Sequence, residues 1–128
     1  MATLVREDPL PNGLTVFFYD RTRRYFGDFY LVKLEIVCNV PIVREYFAGE
    51  DEFREARALL GEKVVYCRNV EQMGVPSTEI ERVRDRLAAD FEKHSIPYFA
   101  APAFPQKLVA AELKKMKKKT LRLPLPGS

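Results

Sequence analysis

Between Tyr30 and Ile42 every even position is apolar (Tyr30, Val32, Leu34, Ile36, Cys38, Val40, Ile42), while Lys33, Glu35 and Asn39 stand at odd positions. Side chains of a strand point alternately to two faces, so this period of two predicts a strand with one face packed and the other wet. Such strands belong to antiparallel sheets covered on one side, because strands of parallel sheets are buried on both. Pro41 has no N–H to give to a ladder and places the far end of the strand at an edge.

The rest of the chain is read around that strand. Leu14 to Tyr19 is rich in β-branched and aromatic residues and predicts a preceding strand. Before it the turn cluster Pro9, Pro11, Asn12 and Gly13 lets Thr3 to Arg6 fold back as a further edge strand. Glu50, Asp51 and Glu52 suit the first turn of a helix that continues through Phe53, Ala56 and Leu60 and stops at Gly61. Lys63 to Val70 reads as a strand ended by Gly74-Val75-Pro76. Thr78 and Glu81 have capping-box spacing, and Ile80, Val83, Leu87 and Phe91 form the apolar stripe of a helix that stops near His94, ahead of Pro97.

Three prolines between Ile96 and Pro105 predict an extended segment, and a last helix is expected from Pro105 to about Lys119. These elements give an α+β fold in the order β-β-α-β-α-α: an antiparallel sheet of three to four strands with helices packed on one face. One domain over residues 1–119 and a flexible tail over 120–128 complete the expected organisation.

Composition narrows the class of function. The net charge is +3, yet from Pro105 onward six lysines and one arginine face a single glutamate, so the remainder of the chain carries −3. An acidic partner for the C-terminal segment, a protein or a nucleic acid, fits this asymmetry. Arg6, Glu7 and Asp8 interrupt the region where a secretory signal needs an apolar run, so we expect a cytoplasmic location. No apolar run reaches the roughly 18 to 20 residues that would span a bilayer. Cys38 and Cys67 form no Cys-x-x-Cys pair and are expected to be two buried thiols.

Few residues suggest chemistry. Phosphate-binding loops, a Gly-x-Ser-x-Gly elbow and a multi-histidine site are not spelled out, and no cofactor or metal is expected. His94 is the single histidine, expected at a helix C-terminus where an imidazolium meets the dipole. Arg82-Val-Arg-Asp-Arg86 contains the Arg-x-x-x-Arg element of PilZ-type receptors, but on a helix and without the motif that follows it in them.

Two clusters remain. In Asp20-Arg-Thr-Arg-Arg-Tyr-Phe-Gly-Asp28, a hairpin arm would put Tyr19, Arg21, Arg23 and Tyr25 on one face, with Arg24 beside them, and such a stripe could hold phosphates while stacking on bases. The plainer reading, which the residues favour, is a solvated hairpin whose arginines pair with Asp20 and Asp28. Lys114, Lys115, Lys117, Lys118 and Lys119 could meet nucleic acid or an anionic membrane surface, or simply complement a helix end. We expect a non-enzymatic binding domain that uses these clusters. An enzyme holding a small anion with the arginines, or a homo-oligomer joined through strand edges, are the alternatives.

The block Leu10-Pro-Asn-Gly-Leu-Thr-Val, with Phe18-Tyr-Asp-Arg, Gly27-Asp28 and Leu31-Val-Lys-Leu-Glu, resembles small uncharacterised bacterial proteins of similar length, mainly over the first third of the chain. The resemblance implies a bacterial origin and a compact fold. It brings no activity, cofactor or catalytic residue.

Overall fold

The computed structural model describes residues 2–122, and the side chains of residues 2–119. Its elements are β1 (Thr3–Pro9), β2 (Thr15–Asp20), β3 (Arg23–Phe26), β4 (Phe29–Pro41), α1 (Glu50–Leu60), β5 (Lys63–Pro76), α2 (Ile80–Phe99) and α3 (Phe104–Arg122), with 3₁₀ turns at Arg44–Tyr46 and Ser77–Glu79. The fold is α+β, but the antiparallel sheet has five strands, and four of them precede the first helix. The expected order β-β-α-β-α-α is corrected to β-β-β-β-α-β-α-α.

The additional strand is the arginine segment. Asp20 accepts a hydrogen bond from the Thr22 N–H at 2.9 Å, which breaks the first arm of the hairpin, and Arg23–Phe26 resumes pairing with β4 as β3. The chain divides into two compact units, one of Met1–Asn39 with Val65–Pro102, the other of Val40–Val64 with the residues from Ala103 onward.

In the first unit the sheet order is β1-β2-β4-β3, with β5 also paired to β4. The even positions of β4 behave as their period requires: Val32, Leu34, Ile36 and Cys38 are all buried. Register places Val16 opposite Cys38 and Phe18 opposite Ile36, so β2 contributes its own alternate residues to the same face. Helix α2 covers that face. Phe18 meets Phe91 edge to face at 5.7 Å, Phe91 stacks on Phe99 at 5.7 Å, and Phe99 meets Tyr66 edge-on at 4.9 Å. Val32, Val75 and Val83 form a second cluster with Ile80 and Leu87 against it.

Burial of Phe99 explains a correction at the end of α2. The helix does not stop near His94; it carries Pro97 inside its last turns and ends at Phe99. Proline removes one donor and disfavours a helical residue before it. Here the cost is offset by seating a phenylalanine ring in the core, worth roughly 1.5–3 kcal/mol on transfer grounds. The expected extended segment shrinks accordingly to a turn between α2 and α3, and Pro105 sits in the first turn of α3, where its missing N–H would be unpaired in any case. His94 is therefore exposed within the helix and not at its end.

The capping box is also absent: α2 is entered through the turn Ser77–Glu79 without a side-chain cap. Asn12 ties its own turn, between β1 and β2, to the far end of α2, donating to the carbonyls of Phe99 at 2.7 Å and Ala101 at 3.0 Å.

Strand β5 runs past Val70 to Pro76. Gly74 takes φ 73°, a backbone conformation that suits glycine, and the alternation changes around it. Before it the sheltered residues are the even ones Val64, Tyr66, Val70 and Gln72, with Arg68 exposed, whereas Val75 is the buried residue after it, the change of face that one extra residue produces. The same alternation turns Cys67 outward, so of the two free thiols only Cys38 is buried, not both as expected. Burial pushes the Cys38 thiol up to about 11. Cys67 is raised too, by partial burial and by the neighbouring Glu35 carboxylate.

In the second unit α1 packs against α3, and Val40, Ile42, Ala56, Val64, Phe104 and Val109 are buried. Gly61, at φ 83°, ends α1 with its N–H on the Arg57 carbonyl. Helix α3 continues through residues 120–122, where the tail was expected to begin; the remainder of that tail, residues 123–128, lies outside the described residues. No helix among the described residues is long and apolar enough to cross a membrane.

Leu34 is the central residue of the β4 inner face. Leu34→Ala should lower stability to urea unfolding by about 2–5 kcal/mol, the range for emptying a core leucine site. A loss below about 1 kcal/mol would mean that the site is not packed as described.

Candidate functional site at the hairpin end

The sheet outruns its core at one end. All four residues of β3 are exposed, and so is Phe29, the first residue of β4. Phe26 and Phe29 pair across the two-residue turn Gly27-Asp28, in which Gly27 takes φ 55°. Glycine is the residue that adopts a positive φ without strain, and a two-residue hairpin loop requires one. The rings beside the turn are left in solvent: Phe26 is 75% exposed, Tyr25 58% and Phe29 46%. With Gly74 of β5 they border an open concavity of about 650 Å³, and Met73, next to Gly74 in the chain, is 56% exposed.

Two contacts hold this end in place. Ser77 donates its backbone N–H to the Asp28 carbonyl at 3.2 Å and its hydroxyl to the Asp28 carboxylate at 3.1 Å, which fastens the turn to the end of β5. At the base of the hairpin, Asp20 pairs with Arg84 of α2 at 3.0 Å, both side chains being mostly sheltered from solvent. Burial alone would push the Asp20 carboxyl up, but hydrogen bonds from Thr22 and the Arg84 guanidinium hold it below the usual carboxylate range. Around the break, Arg21 donates its N–H to the Lys33 carbonyl at 2.8 Å, and the Lys33 N–H reaches the Thr22 hydroxyl at 3.3 Å.

The arginines have separate fates. Arg21 is bound to Glu35 at 3.0 Å across the open face of the sheet. Arg24 donates Nε–H to the Gly27 carbonyl at 2.7 Å, bracing the turn while its charge stays uncompensated. Arg23 is exposed, opposite Leu31. Among the described residues neither Arg23 nor Arg24 forms an ion pair with a carboxylate. A bulge between Arg24 and Phe26 takes Tyr25 out of the simple alternation that would have aligned it with Tyr19, Arg21 and Arg23.

The lysines lie on α3. Lys115 pairs with Glu112 and Lys117 with Glu55, each at 3.3 Å, while Lys114 and Lys117 border a groove in the second unit; Lys118 and Lys119 are exposed. The sequence cluster contains Phe26 without giving it a role of its own, and it does not include Phe29 or Met73. The sign that could have found them is the Phe-Gly-Asp-Phe pattern itself, which places two rings beside a tight turn where no core can reach them.

No group of three or more His, Cys, Asp or Glu side chains among the described residues could hold a metal ion. The chain matches no protein-family model, no curated protein and no solved structure.

The Asp20 clasp sets a pH dependence. A carboxyl held below its unfolded value adds stability above the unfolded pKa of about 3.9, and loses it as pH falls through the folded value. Wild type should therefore be more stable than Asp20→Asn at pH 7, with the gap narrowing as pH falls below about 4. A gap independent of pH, measured by thermal unfolding of both proteins, would remove the clasp from the account.

Proposed function

We propose that the chain is a binding domain for an acidic partner, and that the partner is a single-stranded nucleic acid received at the hairpin end. The observation that supports this reading is the group of exposed rings, Tyr25, Phe26 and Phe29, beside Arg23 and Arg24. An aromatic ring left in water costs hydrophobic free energy, and a cluster of them on a surface marks an interaction site. Unpaired bases offer flat π-faces, and stacking one on an aromatic ring is worth about 1–3 kcal/mol. Arginine adds a planar fork that suits phosphate and can stack as well.

Sequence-independent binding suits the residues present. The concavity presents rings and a glycine, without the array of amides and carboxylates that reads base edges. Tyr25 is the single titratable group among the residues that border it, which favours a stacking surface over acid–base chemistry. The α3 lysines contribute as point charges to any polyanion, a weaker and more salt-sensitive contact than stacking.

Fluorescence anisotropy with an oligothymidylate, at two salt concentrations, tests the reading. Each phosphate neutralised on a single strand gives a slope of log K against log salt of roughly −0.7, so Arg23 and Arg24 alone predict about −1.4 and the five lysines would add about −3.5. Phe26→Ala with Phe29→Ala should weaken binding by about 1–3 kcal/mol per stacked base at both salts, leaving the slope unchanged. Undetectable binding at low salt, or full affinity in the double variant, would refute the proposal.

A further inference from the structure

In the second unit a groove of about 290 Å³ lies along α3. One wall is a single helical stripe, because Gln106, Val109, Ala110, Leu113, Lys114 and Lys117 recur at the three- and four-residue spacing that puts side chains on one face. Tyr46 and Phe47 form part of the other wall, with the Tyr46 carbonyl accepting a hydrogen bond from Gln106 at 3.3 Å. The stripe changes character along its length. Its middle is apolar at Val109, Ala110 and Leu113, and its C-terminal end is cationic at Lys114 and Lys117.

We propose that this groove binds a small amphipathic monocarboxylate, an acyl chain of medium length with its headgroup at Lys114. From Gln106 to Lys114 the helix advances about 12 Å, which bounds the length of a ligand lying along it. The cavity is at the small end of the range for ligand sites, large enough for a short acyl chain and too small for a nucleotide with its phosphates. Lys117 is shared with Glu55 at 3.3 Å, whereas Lys114 has no carboxylate partner among the described residues and is the cation left for a headgroup. Lys114 lies about two turns before the end of α3 at Arg122, beyond the last turn in which the helix dipole opposes an anion. Glu52 also borders the groove, and its like charge makes any negative charge beyond the one met by Lys114 unfavourable.

The test is titration of the full chain at pH 7 with octanoate, octanol and octylammonium, below micelle formation, followed by amide chemical shifts in ¹H–¹⁵N spectra. Octanoate should move amides in segments 46–52 and 106–117, and bind roughly tenfold more tightly than octanol, as expected for a hydrogen bond to a charged group. Octylammonium should bind more weakly still. Lys114→Gln should bring octanoate to the affinity of octanol, and Ala110→Phe, which fills the apolar middle from an exposed helix position, should abolish binding of all three while circular dichroism shows the fold retained. Three results would each overturn the proposal: no shifts with octanoate, shifts spread over the whole chain, or equal affinity for octanoate and octylammonium.

Discussion

One strand with two unlike faces governs the first unit. Because the inner side of β4 carries only apolar groups from Val32 to Cys38, it must be covered, and the register with β2 adds Val16 and Phe18 to the area needing cover. Helix α2 supplies Val83, Ala88, Phe91 and Phe99 to that surface. The need to bury Phe99 draws the helix through Pro97, and the Asn12 amide then closes the N-terminal turn onto the end of the helix. Apolar burial thus dictates both the length of α2 and the path of the chain around it.

What the core does not reach becomes surface for binding. Strand β3 and Phe29 at the start of β4 are exposed, and β3 is an edge strand of only four residues, which buries little on its own. Pins at its two ends compensate: Asp20 with Thr22 and Arg84 at the base, Ser77 with Asp28 at the turn. A side-chain platform that binds by stacking gains from being held still, since less freedom is lost on binding. The pins and the exposed rings are therefore parts of one arrangement in the proposed reading.

Much of the architecture was legible in the sequence because it rests on local periodicity. The inner face of β4, the limits of α1 at Glu50 and Gly61, and the stripe of α2 all follow from spacing within one segment. The features that were not legible depend on residues far apart. Pro97 reads as a stop until the pocket for Phe99 is known, and Thr78 with Glu81 reads as a capping box although Ser77 is held instead by Asp28, 49 positions earlier. Cys67 sits in an apolar segment, yet the alternation of β5 turns it outward. At the candidate site the arginines were visible as a cluster, but the Arg21–Glu35 pair and the bulge at Tyr25 are consequences of cross-strand register. The exposure of Phe26 and Phe29 depends on which parts of the sheet other elements cover, which spacing within one segment does not give.

The most direct test of the central claim is where a bound strand touches the protein. Ultraviolet photocrosslinking of an oligothymidylate to the intact chain, with the adducts located by mass spectrometry, reads this without relying on any variant. The account predicts adducts on Tyr25, Phe26 or Phe29. Adducts confined to α3, with none between Arg23 and Tyr30, would contradict it.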